Sequence, residues 1–430
     1  MPEWVIIHGV TSPGFMPLNF RGEEMIQSKH HTKYRRTLYA SYIGYITQAI
    51  VNNLIPLLFV TLQHEFTISL KQIGFLVTFN FCIQIIVDFI SAKYVDRIGY
   101  KTAIIAAHIF AGVGLVGLGI LPYIVPNAYV GILIAVVCYA IGGGIIEVLI
   151  SPIVEALPTE EKSTAMSLLH SFYCWGHVSV VLLSTLYFVT VGTLHWRFLP
   201  IIWSIVPFFN VLLFMGSPVK APVEAEHMLS LKNLMSMKLF WLFIVLMICS
   251  GASEQAMSQW VSFFAESGLK VSKTTGDLLG PCMFAVLMGI SRTIYGKWGE
   301  KINLNRYILL STILCIFSYL LAVLSPIPIV SLIGCALCGL AVGIMWPGTF
   351  SLASKHCPKG GTAMFAFLAL AGDVGCGGGP SVVGIVSDRF GNRLQAGLLA
   401  ATVFPILLFI GILVLRKWRK QEVEENCNLV

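Results

Sequence analysis

The chain runs to 430 residues, 56% hydrophobic and 11% charged, with a mean hydropathy of +0.81. Too little polar surface remains to clothe a soluble domain, so the water-soluble classes are excluded and a polytopic membrane protein is expected. The net charge of +7 does not argue for a nucleic-acid partner, because the basic residues are scattered between apolar stretches rather than clustered with aromatics.

The opening residues, MPEWVIIHGVTSPGFMPLNF, lack a basic region followed by a long apolar core and make a poor signal peptide. Arg21-Gly22-Glu23-Glu24, just before Met25, would be written in purine-rich codons resembling a bacterial ribosome-binding site. On that reading residues 1–24 are a mis-assigned start and the chain begins at Met25. N-terminal mass spectrometry of native protein tests this expectation, and peptides from residues 1–20 would remove it.

About twenty consecutive apolar residues cross a bilayer as a helix. By that ruler the spans fall near 37–62, 72–94, 102–121, 127–153, 164–190 and 196–216, then 238–264, 275–296, 307–324, 327–353, 363–387 and 395–416. The expected organisation is a cytoplasmic N-terminal segment (1–36), a first six-helix half (37–216), a cytoplasmic linker (217–237), a second six-helix half (238–416) and a cytoplasmic tail (417–430). The fold class is all-α, with twelve transmembrane helices in two halves.

The positive-inside rule agrees with that count. With both termini cytoplasmic, Arg35, Arg36, Lys93, Arg97, Lys101, Lys297, Lys301 and the run Arg416 to Lys420 fall inside, while Lys71, Arg197, Lys270, Lys273, Arg389 and Arg393 fall outside. Self-similarity at an offset of about 200 residues marks a duplicated half. LPTEEKSTAM (Leu157 to Met166) matches CPKGGTAM (Cys357 to Met364), and YVDRIGYK lies over YGKWGEKI from Tyr295.

These features are similar to the major facilitator superfamily, whose GxxxDRxGRK signature resembles AKYVDRIGYK after span two, with Ala92 in place of the first glycine. The resemblance covers nearly the whole chain after Met25. In the signature, Asp96 is expected just past a helix end, with Gly99 at positive φ and Arg97 and Lys101 as ion-pair partners that break and re-form as the halves rock. Asp96, Arg97, Gly99 and Lys101 are thus gating candidates. GIVSDRFGNR, from Gly384 to Arg393, is closer in letters but falls on the outer side.

Several spans carry polar side chains at helical spacing, hence on one face. Span one has Gln48, Asn52 and Asn53; span two has Asn80, Gln84 and Asp88; span five has His170, Tyr173 and His177; span seven has Glu254, Gln255, Ser258, Gln259 and Trp260. A single amide in a span commonly serves as interhelical glue worth about 0.6 kcal/mol. Convergence of such faces from both halves points instead to a shared wet cavity. Amides and imidazoles donate and accept, and Trp175, Trp260 and Trp346 offer flat apolar faces, a combination suited to a neutral, hydroxyl-rich ligand. An anionic substrate would call for an unpaired cation, and only Arg292 comes close.

GGGIIEVLI, Gly142 to Ile150, sets Glu147 inside an apolar run, where an acid costs roughly 2.5–3.5 kcal/mol without a partner, a proton or a wet cavity. The run from Gly142 to Val178 resembles the acid-containing fourth span and polar fifth span of the fucose permease group of proton-coupled sugar symporters. GASEQAMSQW is similar to that group's seventh span, and GIMWPGTFSLAS to its tenth. By that resemblance Glu147 carries the proton, with Glu254 and Asp373 as further candidates, and the face of span one that bears a second acid in the group here shows Asn52 and Asn53. Asp373 lies in AGDVGCGGGP, which lacks the lysine and strand of a phosphate loop; its glycines are expected to let span eleven bend and pack closely.

The sequence thus leads us to expect a carrier for a small neutral solute, a sugar above all, working by proton symport as a monomer in a bacterial plasma membrane. It would use no cofactor beyond the proton gradient and no partner beyond substrate and lipid. A drug exporter is disfavoured, because span four holds Glu147 where such proteins resemble one another in an arginine, and span five lacks their GPxxGG-like kink. Uniport, a nucleoside substrate and a non-transporting nutrient sensor remain as alternatives. Neither HExxH nor GxSxG is present, so no enzyme is expected. The eleven cysteines form no disulfide framework, and Cys335 and Cys338 sit in the helix-packing run SLIGCALCGLAVG.

Overall fold

The structure, a computed structural model, describes residues 18–157, 162–219, 231–298, 302–357 and 361–427. The matched segments around Pro158 and Pro358, most of the linker, the first 17 residues and the last three lie partly or wholly outside this range. Among the described residues all regular structure is helical.

Among the described residues twelve helices are long and apolar enough to span a membrane: Tyr34–Phe66, Leu70–Ser91, Tyr100–Ile124, Ala128–Val154, Leu168–Thr190 and Phe198–Met215, then Lys238–Gly268, Lys273–Tyr295, Leu304–Leu324, Pro328–His356, Ala366–Arg389 and Leu394–Trp418. They are numbered one to twelve below. Each agrees with the sequence reading to within a few residues. An even number of alternating spans returns the chain to the side on which it entered, called here the terminal side; the opposite side is the distal side.

Helix starts follow from capping chemistry. Ser69 closes a capping box at the head of span two, its Oγ accepting from Gln72 N at 3.2 Å while Gln72 Oε1 accepts from Ser69 N at 2.8 Å. Asn127, Ser272 and Asn303 cap spans four, eight and nine with side-chain oxygens, and Pro328 opens span ten. Two departures from a regular helix hold prolines, a 3₁₀ turn at Ile55–Leu58 with Pro56 and a π segment at Leu278–Cys282 with Pro281, while a further π segment at Phe264–Gly268 holds none.

The signature loop departs from expectation. Gly99 does take a positive φ, 88°, and is the single residue between the helices Leu70–Ile98 and Tyr100–Ile124. Asp96, however, lies within the last turn of the first of these rather than beyond it; its side chain is outside the described residues. Arg97 is exposed. Lys101 Nζ reaches the carbonyl of Met215, 2.8 Å away at the end of span six, where Arg36 Nη2 also bonds Leu212 O at 3.2 Å. Orphan carbonyls at a helix C-terminus attract cations, so Lys101 ties spans three and six within one half.

The two halves touch toward the distal side. Lys273 Nζ, at the head of span eight, donates to Leu57 O of span one at 2.7 Å and lies 4.9 Å from the Phe188 ring centroid of span five. Spans two and eleven run antiparallel against each other through Gly74 and Gly384, and Thr78 bonds Ser381. Span eleven is one continuous helix through Pro380. Its glycines serve close approach: a methyl on Gly375 would stand 2.1 Å from Ile248 O of span seven, so only glycine fits.

Candidate transport site

The polar faces of spans one, two, four, seven and eight join into one hydrogen-bonded chain that crosses between the halves. At one end, Gln48 Nε2 donates to Glu147 Oε2 at 2.8 Å and to Gln84 Oε1 at 2.9 Å. Gln84 Nε2 and Asn80 Nδ2 both donate to Asn52 Oδ1, at 3.1 and 3.2 Å. Asn52 carries the chain onward through its own carbonyl, which accepts from Gln259 Nε2 of the opposite half at 3.0 Å.

Within the second half, Gln259 Nε2 also donates to Gln255 Oε1 at 2.8 Å, and Gln255 Nε2 to Glu254 Oε1 at 3.3 Å. Glu254 Oε2 ends the chain in an ion pair with Arg292 Nη2 at 3.3 Å. Two acids, one in each half, are thus linked through side-chain amides and the Asn52 carbonyl. Glu254 is buried, 6% exposed, and matched by a cation, whereas Glu147 is partly exposed and holds one neutral donor. Gln48 Oε1 and Asn80 Oδ1 are buried without a partner, which leaves two acceptors on this face unsatisfied.

Span five lines the same region. Asn53 Nδ2 lies 3.3 Å from the Tyr173 hydroxyl, and the His170 ring meets Tyr45 edge-on at 5.4 Å, while Tyr45 shares a 2.9 Å bond with Ser151 of span four. Arg292 Nε also donates to Gly343 O of span ten at 3.3 Å. The cation foreseen near the end of span eight is therefore a member of the polar face and is paired.

The aromatic residues divide. Trp346 packs its ring over Gly372 and beside Phe350, within the second half. Trp260 is 0% exposed; its Nε1 donates to Pro380 O at 3.0 Å and its ring meets Phe59 and Phe263. Trp260 is therefore committed to packing at the distal closure and offers no free face to a ligand, contrary to the sequence reading. Trp175, 45% exposed, stands on the side of span five that meets Gly289. A groove of about 470 Å³ between spans two and eleven, bounded by Lys71, Phe75, Thr78, Tyr129, Ser381 and Ile385, lies distally and apart from the chain of amides.

Asp373 is separated from this chain in sequence and in partner. Its carboxyl group lies beside that of Asp88 of span two, a residue the sequence reading placed on the polar face without a role. Lys273, read only as a topology marker, is bound by Asp277 at 3.1 Å, which in turn accepts from Ser262 at 2.5 Å. The i, i+4 spacing of Lys273 and Asp277 was the available signal. Among the described residues no group of three or more metal-ligating side chains is gathered.

Two helical halves meeting across a buried, hydrogen-bonded polar face define a membrane carrier. The profile of the Major Facilitator Superfamily matches residues 41–380, and the chain belongs to that superfamily. No curated protein matches it. Among solved structures it is similar to FucP, a superfamily transporter in the outward conformation, also solved as the E. coli fucose:proton symporter, at 18% identity over 87% of this chain and 97% of that one, with a TM-score of 0.63. A bacterial homologue of the human lysosomal transporter Spinster, inward-facing and occupied, is 15% identical over 88% and 96%, with a TM-score of 0.72. The nucleoside transporter NupG is 12% identical over 88% and 98%, with a TM-score of 0.70. At these identities the likeness is one of fold.

Proposed function

We propose that the protein is a proton-coupled symporter for a small neutral polar solute, a sugar in the first instance, in which Glu147 carries the coupling proton. The observation that carries this reading is the series of hydrogen bonds from Glu147 through Gln48 and Gln84 to the Asn52 side chain, taken up again at the Asn52 main-chain carbonyl by Gln259 and Gln255 and ending at Glu254. Protonation of Glu147 changes what Gln48 must do: a neutral carboxylic acid offers an O–H donor, and the Gln48 amide then faces it with an acceptor. Reorientation at Gln48 passes to Gln84 and Asn52, and so to the one backbone carbonyl that Gln259 grips from the other half.

A sugar hydroxyl, donor and acceptor at once, suits the unsatisfied oxygens of Gln48 and Asn80. Arg292 is neutralised by Glu254, which disfavours an anionic solute. Gln48, Asn52, Asn80, Gln84 and Glu147 are assigned to substrate and proton, with His170, Tyr173 and His177 as the opposite wall. Alternating access follows when protonated Glu147 and bound solute together favour an occluded state and their joint release resets the carrier. In this reading the carrier works as a monomer with both termini cytoplasmic, and the proton gradient is its sole energy source.

The test is uptake into proteoliposomes of labelled hexoses, deoxyhexoses, nucleosides and cationic drugs, with and without an inward proton gradient. Gradient-stimulated uptake of one sugar class supports the proposal. Uptake of a nucleoside or drug alone overturns the substrate assignment, and sugar uptake indifferent to the gradient overturns coupling and leaves a uniporter.

A further inference from the structure

Spans two and eleven form a seam between the halves whose register can be followed residue by residue. From the distal end, Gly74 faces Gly384, with 3.6 Å from a methyl on Gly74 to the Gly384 Cα; Thr78 bonds Ser381; and a methyl on Gly377 would stand 3.2 Å from Phe81 Cβ. Residues 74, 78, 81 and 88 recur at helical spacing on span two, as do 384, 381, 377 and 373 on span eleven. Further toward the terminal side the same two faces bring the carboxyl groups of Asp88 and Asp373 close to each other, each keeping one buried oxygen without a partner.

Two carboxyl groups brought together can bond only through a proton, because two carboxylates have only acceptors to offer. Like charges brought together in a buried seam do not both persist, as paired aspartates elsewhere demonstrate. The remaining oxygens strengthen the point. Asp373 is 2% exposed and its Oδ2 is buried without a partner, as is Oδ1 of Asp88. Among the described residues no cation acts on either carboxyl group. The ionisable groups that face the pair are Glu147 from span four and Cys376 one turn along span eleven; Glu254 and Arg292, already paired together, reach Cys376 from spans seven and eight. Trp346 covers the adjacent Gly372 from span ten. On span two's own helix, Lys93 and Asp96 have side chains outside the described residues.

We propose that Asp88 and Asp373 form a proton-binding site shared between the two halves, distinct from Glu147, and that its single proton holds spans two and eleven together on the terminal side. Asp88 is partly exposed and gives the proton its exit. When the proton leaves to water, two carboxylates remain face to face and repel, the seam parts on the terminal side, and the distal contacts at Thr78 and Gly74 become the hinge. The inference goes beyond the transport reading, since it requires neither a sugar nor a coupling role for Glu147.

The test uses the purified full-length protein and needs no substrate. Infrared difference spectra between acid and alkaline buffer are recorded for wild type, Asp88→Asn, Asp373→Asn and Glu147→Gln. The expected result is a protonated-carboxyl band shared by wild type and Glu147→Gln that is lost at alkaline pH, and its loss or shift in both aspartate variants, which keep only the separate band that Glu147→Gln removes. A band shared by wild type and Glu147→Gln that survives unshifted in both aspartate variants overturns the proposal. Deuterium uptake, corrected for intrinsic exchange, keeps the test open should an aspartate variant misfold. Wild-type peptides from the terminal-side turns of spans two and eleven should exchange several-fold faster at alkaline pH, and uptake that does not change with pH overturns the proposed seam opening. Uptake assays in proteoliposomes decide the transport reading separately, so either can fail alone.

Discussion

Gln259 reaches across the interface between the halves and donates its side-chain amide to the main-chain carbonyl of Asn52, 3.0 Å away. Because that carbonyl belongs to the backbone, no substitution at position 52 can delete it. The link is broken only from the Gln259 side. Gln259→Leu keeps the volume and removes both donated bonds, leaving the Asn52 carbonyl and Gln255 Oε1 short of a donor. Each such bond is worth roughly 0.6–1.7 kcal/mol in a membrane interior, so the variant should fold and insert while losing about tenfold or more in transport rate. Thermal melting beside initial uptake rates checks this; a wild-type rate would remove Gln259 from the path between the halves.

Arg292 and Glu254 form a buried pair, with side chains 11% and 8% exposed. Removing one member of such a pair leaves an uncompensated charge and costs about 3–5 kcal/mol, whereas replacing both is far milder. Arg292→Met should therefore lower the melting temperature sharply, and the double variant Arg292→Met/Glu254→Gln should recover most of the loss. A double-mutant cycle read by melting in detergent measures the coupling. Additive losses would mean that the pair contributes no more than two independent contacts.

Trp260 is fully buried between Phe59, Phe263 and the Pro380 carbonyl. Trp260→Ala should cost about 3–5 kcal/mol through the cavity it leaves and should loosen the distal closure. Trp260→Phe should retain most of the packing and lose only the bond to Pro380. Solute affinity per folded molecule should be unchanged in Trp260→Phe. A weakened affinity there would restore the ligand-stacking role that its burial argues against.

The fold was legible because hydropathy and loop charge act over twenty-residue windows, where single substitutions average out. Glu147 was legible for the opposite reason, as one charged residue whose cost in lipid demands an explanation. Amide stripes on spans one, two and seven announced a shared face, and the structure joins them. Sequence could not show how each side chain spends its bonds. Trp260 and Gln259 are adjacent in the chain, yet one is consumed by packing and the other crosses the interface. Nor could it show that Lys101 caps span six, because helix-end carbonyls leave no trace in residue identity. The pairing of Asp88 with Asp373 depends on the register of two helices from different halves, which one sequence does not encode locally.

Lys273 holds four partners at the distal closure: Asp277, Glu266 at 3.9 Å, the Leu57 carbonyl and the Phe188 ring. The last two belong to the opposite half, so Lys273→Met should release the distal side without disturbing the polar chain. A charged thiol reagent should modify a cysteine introduced at Leu57 several-fold faster in this variant, in a background freed of native cysteines. Equal labelling rates would mean that the glycine contacts of spans two and eleven suffice to keep the halves together.

Glu147 is the partly exposed end of the chain, held by the Gln48 amide alone. Glu147→Gln preserves shape and can still pair with Gln48, one amide offering its oxygen to the other's N–H, but it cannot gain or lose a proton. Two steps of the cycle are thereby separated. Exchange of labelled for unlabelled solute requires only that the loaded carrier reorient, and it should proceed near the wild-type rate. Accumulation against a gradient requires proton release, and it should vanish. Counterflow and gradient-driven uptake measured on one proteoliposome preparation report both. If the variant accumulates solute fully, the coupling proton resides elsewhere, and Asp88 with Asp373 becomes the pair to substitute next. If counterflow is also lost, Glu147 binds the solute itself, and the Gln48 and Asn80 oxygens beside it define where its hydroxyls sit.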